Sequence, residues 1–339
     1  MSTTTLHTPS GPVTVNKVAH GLMLMTWKAQ PNPDEQSFAA IKAGIDSLPP
    51  GVKMFLNGGE FYGPNCSTAN IEMIARFFEK YPEYADRAFL SVKGGAKADS
   101  LVPDGSEENV KRSVNRVLEK LRGKKTLDLF ECARVDPNTP LEVSLGALAQ
   151  LVKEGKIGSI GMSEVKAETL LRGHKVHPIT AVEIEVSPWE YGPQQKAVIK
   201  AAQENNIAVI AYSPIGRGFL TGQIKSLDDI PEGDFRRMLP RFQPENMATN
   251  FAIVEKLQSI AKEKGITSAQ LSIAWVSSLG PHVLPLPGSS HIDRTLENVS
   301  ASKVQFTTEE LTKVTEVIEN AVFAGTRYPG DDRAMYLWA

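Results

Sequence analysis

Ala88-Phe-Leu-Ser-Val-Lys93 is followed by Val110-Lys-Arg-Ser-Val-Asn-Arg-Val-Leu-Glu-Lys-Leu121 and then by Leu127-Asp-Leu-Phe-Glu-Cys-Ala-Arg-Val135. The outer two runs are short and mostly apolar, the pattern of a strand buried on both faces. Between them Val110, Val114, Val117, Leu118 and Leu121 line one face of a helix. A strand, a helix and a strand in this order predict two parallel strands joined by a right-handed crossover.

The same alternation extends in both directions. Strands are predicted over residues 18–25, 52–56, 88–93, 127–135, 157–162, 179–187, 207–212 and 282–287, with helical patterns between them. Leu141, Leu145, Leu148 and Val152 form the apolar stripe after the fourth strand. Thr139-Pro140-Leu-Glu142, Thr267-Ser-Ala-Gln270 and Thr307-Thr-Glu-Glu310 read as helix starts with capping boxes. Eight strand–helix units favour closure into an α/β (β/α)8 TIM barrel. An open doubly wound sheet would bring a G-x-G-x-x-G turn after its first strand; none stands there, and Gly216-Arg-Gly218 follows the seventh with the wrong spacing.

One domain is expected across residues 1–339, since no linker or low-complexity run divides it. Residues 1–16 read as a hairpin able to plug the barrel bottom. Residues 215–247 are too long for an ordinary connection and carry Arg217, Lys225, Arg236, Arg237 and Arg241. That charge suits a flap over an anionic group, or simply a solvated basic loop. Residues 328–339 either close over the pocket or lie on the barrel wall.

The 339 residues hold 37 basic and 39 acidic side chains, a net of −2, with 41% apolar residues. This balance gives no global attraction to nucleic acid or an acidic membrane, so a small-molecule partner is expected. The two cysteines, Cys66 and Cys132, and the six histidines show no metal-ligand spacing. No apolar run nears the ~20 residues that cross a bilayer, and Met-Ser-Thr-Thr-Thr lacks the pattern of a signal peptide. A cytoplasmic, metal-free protein follows as the expectation, with a monomer favoured and an oligomer left open.

In a barrel the chemistry sits where the strands end. Tyr62 and Lys93 stand at the ends of the second and third strands, in Asn57-Gly-Gly-Glu-Phe-Tyr62-Gly63 and Ser91-Val-Lys93-Gly-Gly. A phenol there can donate a proton while the ammonium lowers its pKa, a pairing suited to carbonyl chemistry. Glu183, Tyr212 and the Gly288-Ser-Ser290 turn lie at later strand ends, and Arg294 beside that turn and a helix start makes a plausible phosphate site. Tyr212 offers a face on which a flat ring can stack.

The chain resembles the aldo-keto reductases over nearly its whole length. The resemblance is carried by Phe61-Tyr-Gly63, Arg134-Val-Asp-Pro137, Val152-Lys-Glu-Gly-Lys-Ile-Gly, Ala211-Tyr-Ser-Pro, Pro240-Arg-Phe-Gln-Pro-Glu-Asn246, and Pro287-Gly-Ser-Ser with Arg294 and Glu297-Asn298. It is most similar to the branch that reduces pyridoxal to pyridoxine. The resemblance implies Tyr62 as proton donor, Lys93 as the cation that tunes it, and NADPH as hydride source. It implies cofactor contacts from Ser163, Glu183, Tyr212, Ser213, Gly216, Gly218, Ser290, Arg294, Glu297 and Asn298, with Glu164 a further candidate. By the same resemblance Ser290 and Arg294 would take the 2′-phosphate, although position 288 is glycine where some relatives place a lysine.

The family pattern pairs Tyr and Lys with an Asp and a His. Here those positions are Asn57 and Ala133. The chain is then either a reductase running on Tyr62 and Lys93 with Asn57 in support, or a nucleotide-binding regulatory subunit with little turnover. Ala133 and Trp27 are expected at the substrate pocket, Ala133 making room beside the aldehyde. Strand alternation puts Glu131 on the face of Ala133 and Glu185 on the face of Glu183, so either glutamate could replace the missing aspartate. The same alternation turns Cys132 and Arg134 outward.

Overall fold

The computed structural model describes residues 2–330 and 336–339. A hairpin of β1 (Thr3–Thr8) and β2 (Gly11–Asn16) precedes the barrel. The barrel strands are β3 (His20–Gly21), β4 (Met54–Gly59), β5 (Ala88–Gly94), β6 (Leu129–Cys132), β7 (Ile160–Ser163), β8 (Ile179–Glu185), β9 (Ala208–Tyr212) and β10 (Val283–Leu286). They pair in parallel in chain order. Closure between the last and the first rests on a parallel bridge at Gly21 and Gly288, with Ala19 N donating to Pro285 O at 2.9 Å and Gly21 N to Pro287 O at 3.0 Å. The eight-stranded barrel expected from the alternation is the fold observed.

The helices are α1 (Met23–Thr26), α2 (Asp34–Asp46), α3 (Ala69–Lys80), α4 (Glu107–Leu121), α5 (Leu141–Lys153), α6 (Ala167–Val176), α7 (Pro193–Glu204), α8 (Pro244–Lys264), α9 (Ser268–Ser278), α10 (Ile292–Ser300) and α11 (Thr308–Glu319). None of the described helices is long and apolar enough to cross a membrane. The first predicted strand shrinks to two residues, because the chain turns at Leu22 into α1 and brings Trp27 toward the barrel mouth. Thr267 and Thr307 form the capping boxes read from the sequence. Thr139 does not: Pro140 takes the cap position of α5, and the Thr139 hydroxyl donates to Asp136 at 2.6 Å.

Strand alternation sorts the barrel into two cores. Leu56, Leu90, Val92, Phe130, Ile160, Val182 and Ile184 point outward and pack under the helices. Phe55, Phe89, Leu129, Ala181, Ala208 and Leu284 point inward and form an apolar floor. Leu6 and Val15 of the hairpin join that floor fully buried, so the hairpin plugs the bottom as expected. One step further along the same inward rows the residues turn polar: Asn57, Ser91, Lys93, Glu131, Ser163 and Glu183, all buried. An apolar floor beneath a polar layer directs the chemistry to the strand C-termini.

Residues 215–247 form a run of single-turn 3₁₀ segments leading into α8. Four of their arginines are held within the protein. Arg236 pairs with Asp234, Arg237 donates to Leu227 O and Ile230 O, Arg241 pairs with Glu190, and Arg217 pairs with Glu185. The loop's basic charge therefore ties it to itself and to the barrel.

Candidate active site

Tyr62 lies in the turn after β4. Its ring packs so close over Gly59 that a Cβ there would meet ring atoms at 2.7 Å, which explains a glycine at that strand end. Trp27 stacks on the same ring at 5.0 Å between centroids and 21° between planes. Phe61, Tyr62 and Ala96 form a small apolar cluster with Met23, Trp27, Cys66 and Ala133 packed against it. The two expected pocket residues, Trp27 and Ala133, are thus brought to the same wall as the phenol.

Burial pushes the Tyr62 phenol up to about 12. The Lys93 charge opposes that rise and Glu183 and Glu131 reinforce it. The ammonium pulls in the expected direction, but desolvation wins, and the phenol is held in its protonated form well above neutral pH.

Lys93 is 6% exposed and meets three polar groups. Its ammonium is in direct contact with Glu183, lies 3.6 Å from Glu131 Oε1 and donates to Asn57 Oδ1 at 3.1 Å. Asn57 Nδ2 in turn donates to Glu183 Oε2 at 2.9 Å and to Ser91 Oγ at 3.4 Å. Burial alone would drive the Lys93 proton off, but Glu183, Tyr62 and Glu131 outweigh it and hold the ammonium above its ordinary value. Glu131 is pushed well above the carboxylate range, by burial first and by the Glu183 charge second. Gly161 makes room for it, since a Cβ at that position would stand 3.1 Å from Glu131 Oε2.

Glu185 is not a partner of Lys93. It sits two residues beyond Glu183 on the same row, higher in the barrel, and pairs with Arg217 and Arg327, each at 2.9 Å. Burial works against its charge, and the two guanidiniums override it to hold the carboxyl below its ordinary range. Glu183, expected near the nicotinamide carboxamide, faces Lys93 and Asn57.

A second charged cluster closes the mouth. Arg327 donates to Glu164 through both terminal nitrogens at 3.0 and 3.2 Å, to Glu185 through Nε at 2.9 Å, and to Tyr212 Oη at 2.7 Å. Tyr212 Oη donates to Glu164 Oε1 at 2.7 Å, and Arg217 donates to Tyr328 Oη at 3.0 Å. The start of the C-terminal tail therefore lies over the strand ends, and Leu337 and Trp338 are also buried. Residues 331–335 of that tail fall outside the described residues. Sequence reading did not find Arg327. Its signal was an excess of strand-end glutamates, Glu131, Glu164, Glu183 and Glu185, facing one strand lysine.

Arg134 is a correction. Strand β6 ends at Cys132, so alternation no longer applies two residues later. The Arg134 charge acts on Tyr62, Tyr212 and Glu164, which places the guanidinium on the mouth side. Cys132 does face outward, against Gly95.

The residues expected to hold the cofactor lie on one arc from β7 to α10. Ser163 is buried with no hydrogen-bond partner for its hydroxyl, an opening that a carboxamide would satisfy. Ser213, Gly216, Arg217 and Gly218 all have positive φ, giving a tight loop directly after Tyr212. Ser290 is half-buried before the N-terminus of α10, Arg294 is exposed in its first turn, and Glu297 and Asn298 follow on that helix. Among the described residues no ion pair engages Arg294. These features fit a dinucleotide with an extra phosphate.

Comparison with known proteins agrees with this geometry. The family model for the aldo/keto reductase family matches residues 17–319. A protein of Schizosaccharomyces pombe named probable pyridoxal reductase 2 is 34% identical over 319 residues, covering 93% of this chain and 95% of its own. A Saccharomyces cerevisiae protein named putative pyridoxal reductase is 37% identical over 330 residues, covering 91% and 94%. Another S. pombe relative, named aldo-keto reductase yakc and marked NADP(+), is 36% identical over 324 residues, covering 94% of this chain and 93% of its own. Among solved structures the glycerol dehydrogenase AKR11B4 of Gluconobacter oxydans superposes with a TM-score of 0.80 at 24% identity, covering 96% of this chain and 97% of its own, which supports the fold. With the barrel, its polar layer and these matches in hand, the chain belongs to the aldo/keto reductase family.

Proposed function

We propose that this protein reduces an aldehyde with NADPH and that its substrate is pyridoxal. The observation that carries the reading is a buried phenol, Tyr62, beside a buried ammonium, Lys93, at the strand ends of a chain similar to two proteins named as pyridoxal reductases. NADPH supplies the hydride that reaches the carbonyl carbon. Tyr62 supplies the proton to the carbonyl oxygen, which removes the cost of an alkoxide. Lys93 makes that transfer easier by favouring the phenolate left behind. Trp27 and Phe61 shape the apolar wall, and Ala133 leaves room for substituents flanking the aldehyde. Ser163, Ser213, Gly216 and Gly218 would line the nicotinamide and pyrophosphate, with Ser290, Arg294 and Asn298 at the adenosine end.

Loss of NADPH absorbance on adding pyridoxal tests the reading, with a nitrobenzaldehyde as generic control. Oxidation with the control alone overturns the substrate. No oxidation with any aldehyde, alongside measurable NADPH binding, favours a regulatory subunit instead.

Arg294→Ala tests the phosphate site. Losing one charged hydrogen bond of about 1.5–3 kcal/mol is expected to raise the KM for NADPH by roughly 10- to 100-fold. The KM for NADH should stay unchanged. Equal losses for both cofactors would place the phosphate elsewhere.

A further inference from the structure

The family pattern expects an aspartate where this chain has Asn57, yet Lys93 is buried and needs an anion. Two carboxylates reach its ammonium, Glu183 in direct contact and Glu131 at 3.6 Å. Both are 1–2% exposed. Glu183 Oε2 also receives Asn57 Nδ2 at 2.9 Å, whereas Glu131 Oε1 has no hydrogen-bond partner. Two full negative charges against one ammonium, away from water, repel each other more than the second can gain.

We infer that Glu131 and Glu183 share one proton and so hold between them the single negative charge that balances Lys93. In the resting arrangement Glu183 is the ion and Glu131 the neutral acid. The balancing charge of Lys93 thus comes from β6 and β8, and Asn57 of β4 is the bridge that orients it. Both glutamates are positioning residues, acting on the carbonyl only through Lys93 and Tyr62. The other titratable groups facing them are Lys93 itself and Tyr62, and the outward-facing Cys132 thiol lies close enough to feel the Glu131 charge. High burial keeps Glu131 neutral far above the usual carboxylate range, in line with this sharing.

The inference rests on the proposed reductase only for its kinetic arm. Its other arm is infrared spectroscopy of the full chain, which reads the carbonyl stretch of a protonated carboxylic acid. A wild-type band is expected to persist from about pH 6 to about pH 9. It should vanish in Glu131→Gln, and also in Glu183→Gln, where Glu131 takes over the charge. No such band in the wild type, or a band that survives Glu183→Gln, overturns the sharing.

In the kinetic arm each single variant is expected to lose less than about tenfold in turnover, because the remaining carboxyl ionises. The double variant Glu131→Gln/Glu183→Gln leaves Lys93 without an anion. Desolvation then lowers its pKa, and activity should fall as pH rises through neutrality, by roughly 100-fold or more at pH 8. Adding Asn57→Asp should bring turnover back to within about tenfold and remove the falling limb. A double variant no worse than the product of its singles, or no rescue by Asn57→Asp, overturns the inference. If the double variant does not fold, the infrared result on the single variants decides. If the wild type reduces no aldehyde, the proposed function fails while the infrared arm still stands or falls on its own.

Discussion

Tyr62→Phe is expected to lower aldehyde turnover by roughly 10²- to 10⁴-fold, the range for loss of a positioned general acid. That corresponds to about 3–5 kcal/mol of transition-state stabilisation. Fold and NADPH affinity should be kept, because the ring still packs against Trp27 and Gly59 and only the hydroxyl is lost. The pH profile of the wild type is the companion result. On the proposed mechanism reduction uses the phenol, whose pKa burial pushes up to about 12, so its rate should be flat from neutral to strongly basic pH. Alcohol oxidation uses the phenolate, so its rate should climb about tenfold per pH unit over the same span. Steady-state rates in both directions with both proteins check this. A phenylalanine variant retaining more than about a tenth of the wild-type turnover removes Tyr62 from the proton-donor role.

The barrel was legible because its evidence is repeated. Eight apolar runs with amphipathic helices between them point to one topology, and an error at one boundary leaves the others intact. The first strand shows the limit: residues 18–25 are apolar enough for a strand, but the turn at Leu22 comes from tertiary packing of α1 on β4 and α3. Tyr62, Lys93 and Asn57 were legible as a group because strand ends in a barrel converge. Their electrostatics were less so. Whether Glu183 faces a cofactor or a lysine depends on a side-chain rotamer, and period two fixes only the face. It also could not tell Glu183 from Glu185, two steps apart on one row, yet one lies at the depth of Lys93 and the other at the mouth. Arg327 was invisible for a different reason. It comes 142 residues after Glu185, from a tail with no periodicity to place it.

Arg327→Met is expected to destabilise the protein by about 3–5 kcal/mol, the cost of stripping a cation from buried carboxylates. Glu164 is 0% exposed and loses both of its guanidinium bonds, keeping Tyr212 Oη and the Glu185 backbone N–H. Glu185 keeps Arg217. The loss should therefore sit near the lower end of the range, and it should fall mainly on Glu164. Arg327→Lys should recover only a minor part, since one ammonium cannot span Glu164, Glu185 and Tyr212 as the fork does. Denaturant unfolding of the three proteins measures the order. The tail supplies a second readout: Arg327 also lies over the Trp338 ring at 5.6 Å, so without the guanidinium the last residues should be cut sooner by protease than in the wild type. Equal stability for arginine and methionine would mean that the guanidinium adds nothing net to its carboxylate partners. The mouth would then be held by apolar packing of Leu337 and Trp338 rather than by charge.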